Sequence, residues 1–74
     1  MRIFGLDVHR TFAEVALLDE RGVRSAGPID LTAAALHAFG RQLTQDDDVV
    51  LEAMCNTHAI ARLLRAYVRR VVVS

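Results

Sequence analysis

The segment Val49-Val50-Leu51-Glu52-Ala53 is a continuous apolar run interrupted by one acid. Successive side chains of a strand point to opposite faces, so an unbroken apolar run is the pattern of a strand buried on both faces. Such strands belong to parallel or mixed sheets whose connections cross over through helices. This one run points the chain towards an α/β architecture.

The flanking sequence agrees. Residues 2–8 and 12–19 read as two strands, and His9-Arg10-Thr11 is a link short enough for an antiparallel hairpin. Glu20-Arg21-Gly22 forms the next turn, and residues 23–29 a third strand, weakened by Gly27 and Pro28 and suited to a sheet edge. Asp30 or Thr32 caps a helix running to about Leu43, with Leu36, Phe39 and Leu43 on one face and Gly40 weakening its last turns. Thr44 to Asp48 reads as a polar turn. Asn56 or Thr57 caps a second helix, whose apolar face is Ile60, Leu63, Leu64 and Tyr67 and whose other side carries Arg62, Arg65 and Arg69. Val71-Val72-Val73 is a last strand. The order β-β-β-α-β-α-β predicts a mixed sheet, with the first strand central between the second and the fourth.

At 74 residues the chain is one domain at most. A domain this small buries only about 60% of the surface its unfolded chain exposes, and such folds lean on disulfides, metals or association. The single cysteine, Cys55, rules out an internal disulfide, fits a reducing compartment and reads as a small buried thiol. No zinc-type spacing is present. Partner chains, or the remainder of a longer protein, are left to supply stability. An apolar fraction of 53% on so short a chain favours a homo-oligomer. Nine arginines, with no lysine, balance nine acids, so net charge offers no case for nucleic-acid binding. No signal peptide is visible, and no apolar stretch approaches the ~20 residues that span a bilayer. A soluble, cytoplasmic protein without membrane contact is expected.

Asp7 and Glu52 each sit near the C-terminal end of an otherwise apolar strand. If the first and fourth strands are parallel neighbours, the two carboxylates meet at one sheet edge, where open α/β sheets bind ligands. Two unpaired buried carboxylates would be costly, and a divalent cation with oxygen ligands relieves that cost. An acid at a strand end also serves as a helix cap or an arginine partner, and the pattern alone leaves both open. His9 and His58 flank the acids, either as contacts to metal or phosphate or, by default, as a turn residue and a first-turn helix residue. Arg10 and Thr11 are either nucleic-acid contacts or a solvated turn. Arg62, Arg65, Arg69 and Arg70 form the one basic concentration, either a phosphate-binding face or, by default, a solvated helix face. Asp46-Asp47-Asp48 lacks the spacing of a calcium loop and reads as a turn. Few aromatics are available for base stacking.

The stretch GLDVHRTFAEVALLDERG at 5–22, with VVLEAMCNTHAIARLLRAYVRRVVVS at 49–74, resembles the N-terminal domain of DEDD transposases of the IS110/IS1111 insertion-sequence family. That domain is RuvC-like, with a ribonuclease-H-like fold. Gly5-Leu6-Asp7-Val8-His9-Arg10 matches the family's opening stretch, with Arg10 in place of the usual lysine. Leu51-Glu52-Ala53 matches the second, acid-bearing stretch. Met54-Cys55 departs from the commoner small-residue–glycine turn.

The resemblance implies that Asp7 and Glu52 are the first two of four acids that hold two Mg²⁺ (or Mn²⁺) ions at a scissile phosphate. The family enzyme cuts and rejoins DNA at an insertion sequence, directed by a structured guide RNA. Its last two acids and a C-terminal domain with a nucleophilic serine lie further along than these residues reach. Residues 1–74 are then expected to be the N-terminal part of the catalytic domain, incomplete relative to the full fold, binding metal weakly and inactive in isolation. Two other readings stand beside this one. A non-enzymatic, self-associating remnant or interaction module would explain the apolar content. Actin-like ATPases and sugar kinases open with a similar strand, Asp and hairpin, but their phosphate-binding hairpin carries glycines that His9-Arg10-Thr11 lacks.

Overall fold

The computed structural model describes residues 1–52, 54 and 56–74. The elements run β1 (Arg2–Val8), β2 (Phe12–Asp19), β3 (Gly22–Asp30), α1 (Ala33–Gly40), β4 (Asp47–Leu51), α2 (Thr57–Leu64) and β5 (Arg70–Val73). They build one five-stranded sheet of order β3-β2-β1-β4-β5. β1 pairs antiparallel with β2 and β2 with β3, while β1 pairs parallel with β4 and β4 with β5. The expected mixed α/β sheet, with β1 central, is what forms. Its order and connectivity are those of the ribonuclease-H-like fold.

Strand alternation decides the core. Phe4, Leu6 and Val8 of β1 are buried, and the register sets Val15 and Ala13 of β2 and Val49 and Leu51 of β4 beside them on the same face. Leu36 and Phe39 of α1 and Ile60, Ala61 and Leu64 of α2 join this cluster, so both helices cover one face of the sheet. Phe39 meets Phe4 edge-on, with ring centroids 5.8 Å apart. The opposite face carries no helix among the described residues. Gly5 and Val50 are half-buried there, and Leu18 and Val23 are 41% and 72% exposed. The apolar run of β4 is therefore covered on one side, where the sequence pattern called for two. β3 takes the edge, as its Gly27 and Pro28 predict, with a bulge in the ladder at Val15/Ala16 and Gly27 at a φ of 88°.

Several boundaries differ from the sequence reading. α1 stops at Gly40, and Leu43 packs against the core from the turn beyond. The ring of Tyr67 lies directly over Gly40, in the space a Cβ would take. Tyr67 itself follows α2, in a turn closed by its N–H donating to the Leu64 carbonyl at 2.9 Å. Gly40→Ala is expected to destabilise the domain by about 1–3 kcal/mol, because the start of the Tyr67 ring must shift. Helix propensity alone predicts the opposite sign, so the direction of change in a urea melt decides.

The larger correction concerns the acidic turn. Asp47 and Asp48 begin β4 and are 2% exposed each. Asp47 accepts a two-pronged bond from the Arg2 guanidinium, at 3.0 and 2.7 Å, and another from the Thr44 N–H at 2.8 Å. Asp48 accepts from Arg69 at 3.0 and 2.8 Å and from Arg70 at 3.2 Å. Arg69, just before β5, and Arg70, its first residue, are thus ion-pair partners of Asp48 and not part of a solvated helix face. These guanidiniums hold both carboxyl groups below the usual carboxylate range, Arg2 acting on Asp47 and Arg69 on Asp48.

Candidate functional site

β1 and β4 run parallel with Leu6 beside Leu51, so Asp7 and Glu52 are the next residues along the two strands. Both are exposed, the Asp7 side chain to 68%. They line one shallow hollow on the helix-free face, above Gly5 and Val50. The two sequence-predicted acids are therefore brought to the same end of the same face, on neighbouring strands. Their surroundings differ from expectation. The carboxylates stand in water, so burial imposes no demand for a cation to neutralise them.

Glu14 of β2 also lines this hollow and lies directly across from Asp7 in the antiparallel ladder. Sequence reasoning missed it, although a hairpin turning at residues 9–11 pairs position 7 with position 14. Like charges directly opposite in a sheet destabilise it. A cationic occupant would relieve that repulsion.

The hairpin beside Asp7 is ordered by His9. Its backbone N–H donates to the Phe12 carbonyl at 2.8 Å, and its ring stacks on Phe12 with centroids 4.6 Å apart. This places Nε2 3.3 Å from an Asp7 carboxylate oxygen. Arg10 and Thr11 are exposed at the tip, and the Thr11 carbonyl accepts from the Leu31 N–H at 3.0 Å. His58 is exposed on the first turn of α2.

On the Glu52 side, Thr57 does the ordering. Its fully buried hydroxyl accepts from the Met54 N–H at 2.8 Å and donates toward the Met54 and Glu52 carbonyls, 2.7 and 3.2 Å away. Asn56 precedes α2 in the left-handed region, with φ of 69°, and makes no side-chain cap. Of the two expected caps, Asn56 takes the N-cap position, its carbonyl accepting from the Ile60 N–H at 3.2 Å, and Thr57 is the first residue of the helix, its hydroxyl bonding back to the segment before it. Ala53 and Cys55 lie outside the described residues, and with them the end of the expected fourth strand and the buried-thiol reading of Cys55.

Asp7 and Glu52 offer hard oxygen donors, open to water, at neighbouring strand ends, and these suit Mg²⁺ or Mn²⁺ as part of a ligand set. Among the described residues, no three His, Cys, Asp or Glu side chains converge as a complete metal-binding group. No helix among them is long and apolar enough to cross a membrane. No protein-family model matches the chain, and no curated protein matches it significantly.

Proposed function

We propose that residues 1–74 are the N-terminal part of a RuvC-like catalytic domain of a DEDD transposase of the IS110/IS1111 type. In this reading the complete protein cuts and rejoins DNA at an insertion sequence under the direction of a structured RNA. Asp7 and Glu52 supply two of the four metal-binding acids. The observation that carries the reading is the placement of these two residues, side by side at the C-terminal ends of parallel strands, on the ribonuclease-H-like sheet order. The quoted motif matches around them supply the family.

Held in part by Asp7 and Glu52, Mg²⁺ would supply Lewis-acid stabilisation of the charge at the scissile phosphate. The residues here have simpler tasks. The Asp7 and Glu52 carboxylates contribute oxygen ligands from a rigid sheet. Thr57 orders the segment that follows Glu52, and the His9–Phe12 stack sets the hairpin beside Asp7. In this reading Arg10 and Thr11, exposed at the hairpin tip, contact the nucleic-acid backbone.

Mn²⁺ titration followed by NMR tests this directly. Selective broadening of resonances around both Asp7 and Glu52 is expected, with at least a tenfold weaker effect in Asp7→Asn, roughly the loss seen on removing metal-site groups. Broadening that is absent, or identical in the variant, overturns the metal-site reading. No DNA cleavage by the isolated 74 residues is expected. Binding of ATP at the hairpin, without Mn²⁺ broadening at Glu52, would favour the actin-like alternative.

A further inference from the structure

We propose that Asp7 and His9 chelate one divalent ion together, His9 through Nε2, so that the site prefers transition ions, Zn²⁺ above Mn²⁺, to Mg²⁺. This inference rests on the reading that Asp7 is a metal ligand and deepens it, adding a nitrogen donor from the same strand end.

Residues two apart on a strand share a face. Val8, between the two, is buried in the core, so Asp7 and His9 project together from the helix-free side. His9 lies one residue past β1, but its N–H donates to the Phe12 carbonyl at 2.8 Å and so keeps it in the hairpin register. Its ring lies nearly parallel to that of Phe12, 14° between planes and 4.6 Å between centroids, and this stack sets the direction of Nε2. Nε2 stands 3.3 Å from an Asp7 carboxylate oxygen, with the two side chains 45% and 68% exposed and open to an ion from water.

That separation is the distance between neighbouring ligands on one ion. Metal bonds of about 2.0–2.2 Å put adjacent ligands about 3.0 Å apart in an octahedral shell and about 3.4 Å apart in a tetrahedral one. Strand and hairpin therefore hold one edge of a coordination shell ready-made. A plain histidine–carboxylate ion pair makes the same contact, but the local charge favours the metal. Glu14 lies directly across from Asp7 on β2. A singly charged histidine balances one of these carboxylates, whereas a divalent ion balances both. The imidazole also selects among ions, because nitrogen donors suit Zn²⁺ and its neighbours while Mg²⁺ takes oxygen. Two protein donors leave the other positions to water or to a phosphate oxygen.

Long-range proton–nitrogen NMR of the imidazole rings during Zn²⁺ titration of the 74-residue chain provides the test. The chain has three histidines, so His37 and His58 are internal controls. Zn²⁺ is expected to move the Nε2 resonance of His9 and to leave the other two rings unchanged. His9→Phe keeps a ring to stack on Phe12 and removes the donor. It should weaken Zn²⁺ binding at least about tenfold and leave the weaker Mg²⁺ binding nearly unchanged. If that variant fails to fold, His9→Gln carries the comparison. Asp7→Asn should cost Zn²⁺ a similar factor, and the two changes together less than the product, because both act on one ion. A His9 Nε2 resonance that Zn²⁺ does not move, or equal Zn²⁺ affinity with and without the imidazole, overturns the proposal. Mn²⁺ broadening at Asp7 and Glu52 in that case leaves the two-acid reading standing. Zn²⁺ held by His9 and Asp7, with no ion acting at Glu52, upholds the chelate and overturns the two-acid reading instead.

Discussion

Leu51→Ala is expected to lower the thermal midpoint by roughly 10–30 °C, enough to leave much of the protein unfolded at body temperature. Leu51 is fully buried at the centre of the cluster. Truncating such a leucine costs about 2–5 kcal/mol in lost burial and residual cavity. At about 0.05–0.15 kcal/mol per residue, a 74-residue domain has roughly 4–11 kcal/mol in total. The consequence reaches the site, because Leu51 seats the strand end from which Glu52 projects. Val50→Ala, one residue earlier and half-buried on the open face, should cost about 1 kcal/mol or less in dilute solution. Thermal melts by circular dichroism compare the two. A larger loss from Val50→Ala than from Leu51→Ala would mean that β4 presents its other face to the helices, because a shift of one residue exchanges the faces completely.

Acid is expected to destabilise the domain, with stability falling as pH drops below about 4. Asp47 and Asp48 have folded pKa values below their ordinary range, held there chiefly by Arg2 and Arg69. A carboxyl group with a lowered folded pKa binds protons more readily when the chain is unfolded. Its contribution is complete above the unfolded value, near 3.9, and disappears as pH falls through the folded value. Asp47→Asn keeps the shape and removes the charge. It should cost about 1.5–3 kcal/mol at neutral pH, nearer the lower figure because the Arg2 side chain is 39% exposed. It should also flatten the acid limb of stability against pH, measured by urea melts at successive pH values. An unchanged limb would place the acid sensitivity elsewhere.

Both ion pairs lie at the end of the sheet opposite the candidate site. Asp47 and Asp48 are clamped by arginines, whereas Asp7 and Glu52 project into water. The strongly held acids are structural, and the open ones remain available for a ligand. Sequence reasoning had these environments reversed. It placed the Asp46–Asp48 run in a solvated turn and the two strand-end acids in the interior. Nothing local announces the partners of Asp47 and Asp48, which stand 45 and 21 residues away in the chain.

What the sequence determined by itself is the order of elements and the sheet they form. Alternating or continuous apolar runs, short links and helical spacing are local signals, and right-handed crossovers leave few ways to arrange them. That was enough to set β1 between β2 and β4, and so to bring Asp7 and Glu52 together. The tertiary structure alone decided which face of the sheet each residue meets, that both helices cover the same face, and which acids find a guanidinium. Those outcomes depend on register and on contacts between residues distant in the chain. Glu14 joins the candidate site, and Arg69 leaves the helix surface, for the same reason: a side chain's environment is set by what packs against it in space, and periodicity along the chain carries only half of that information.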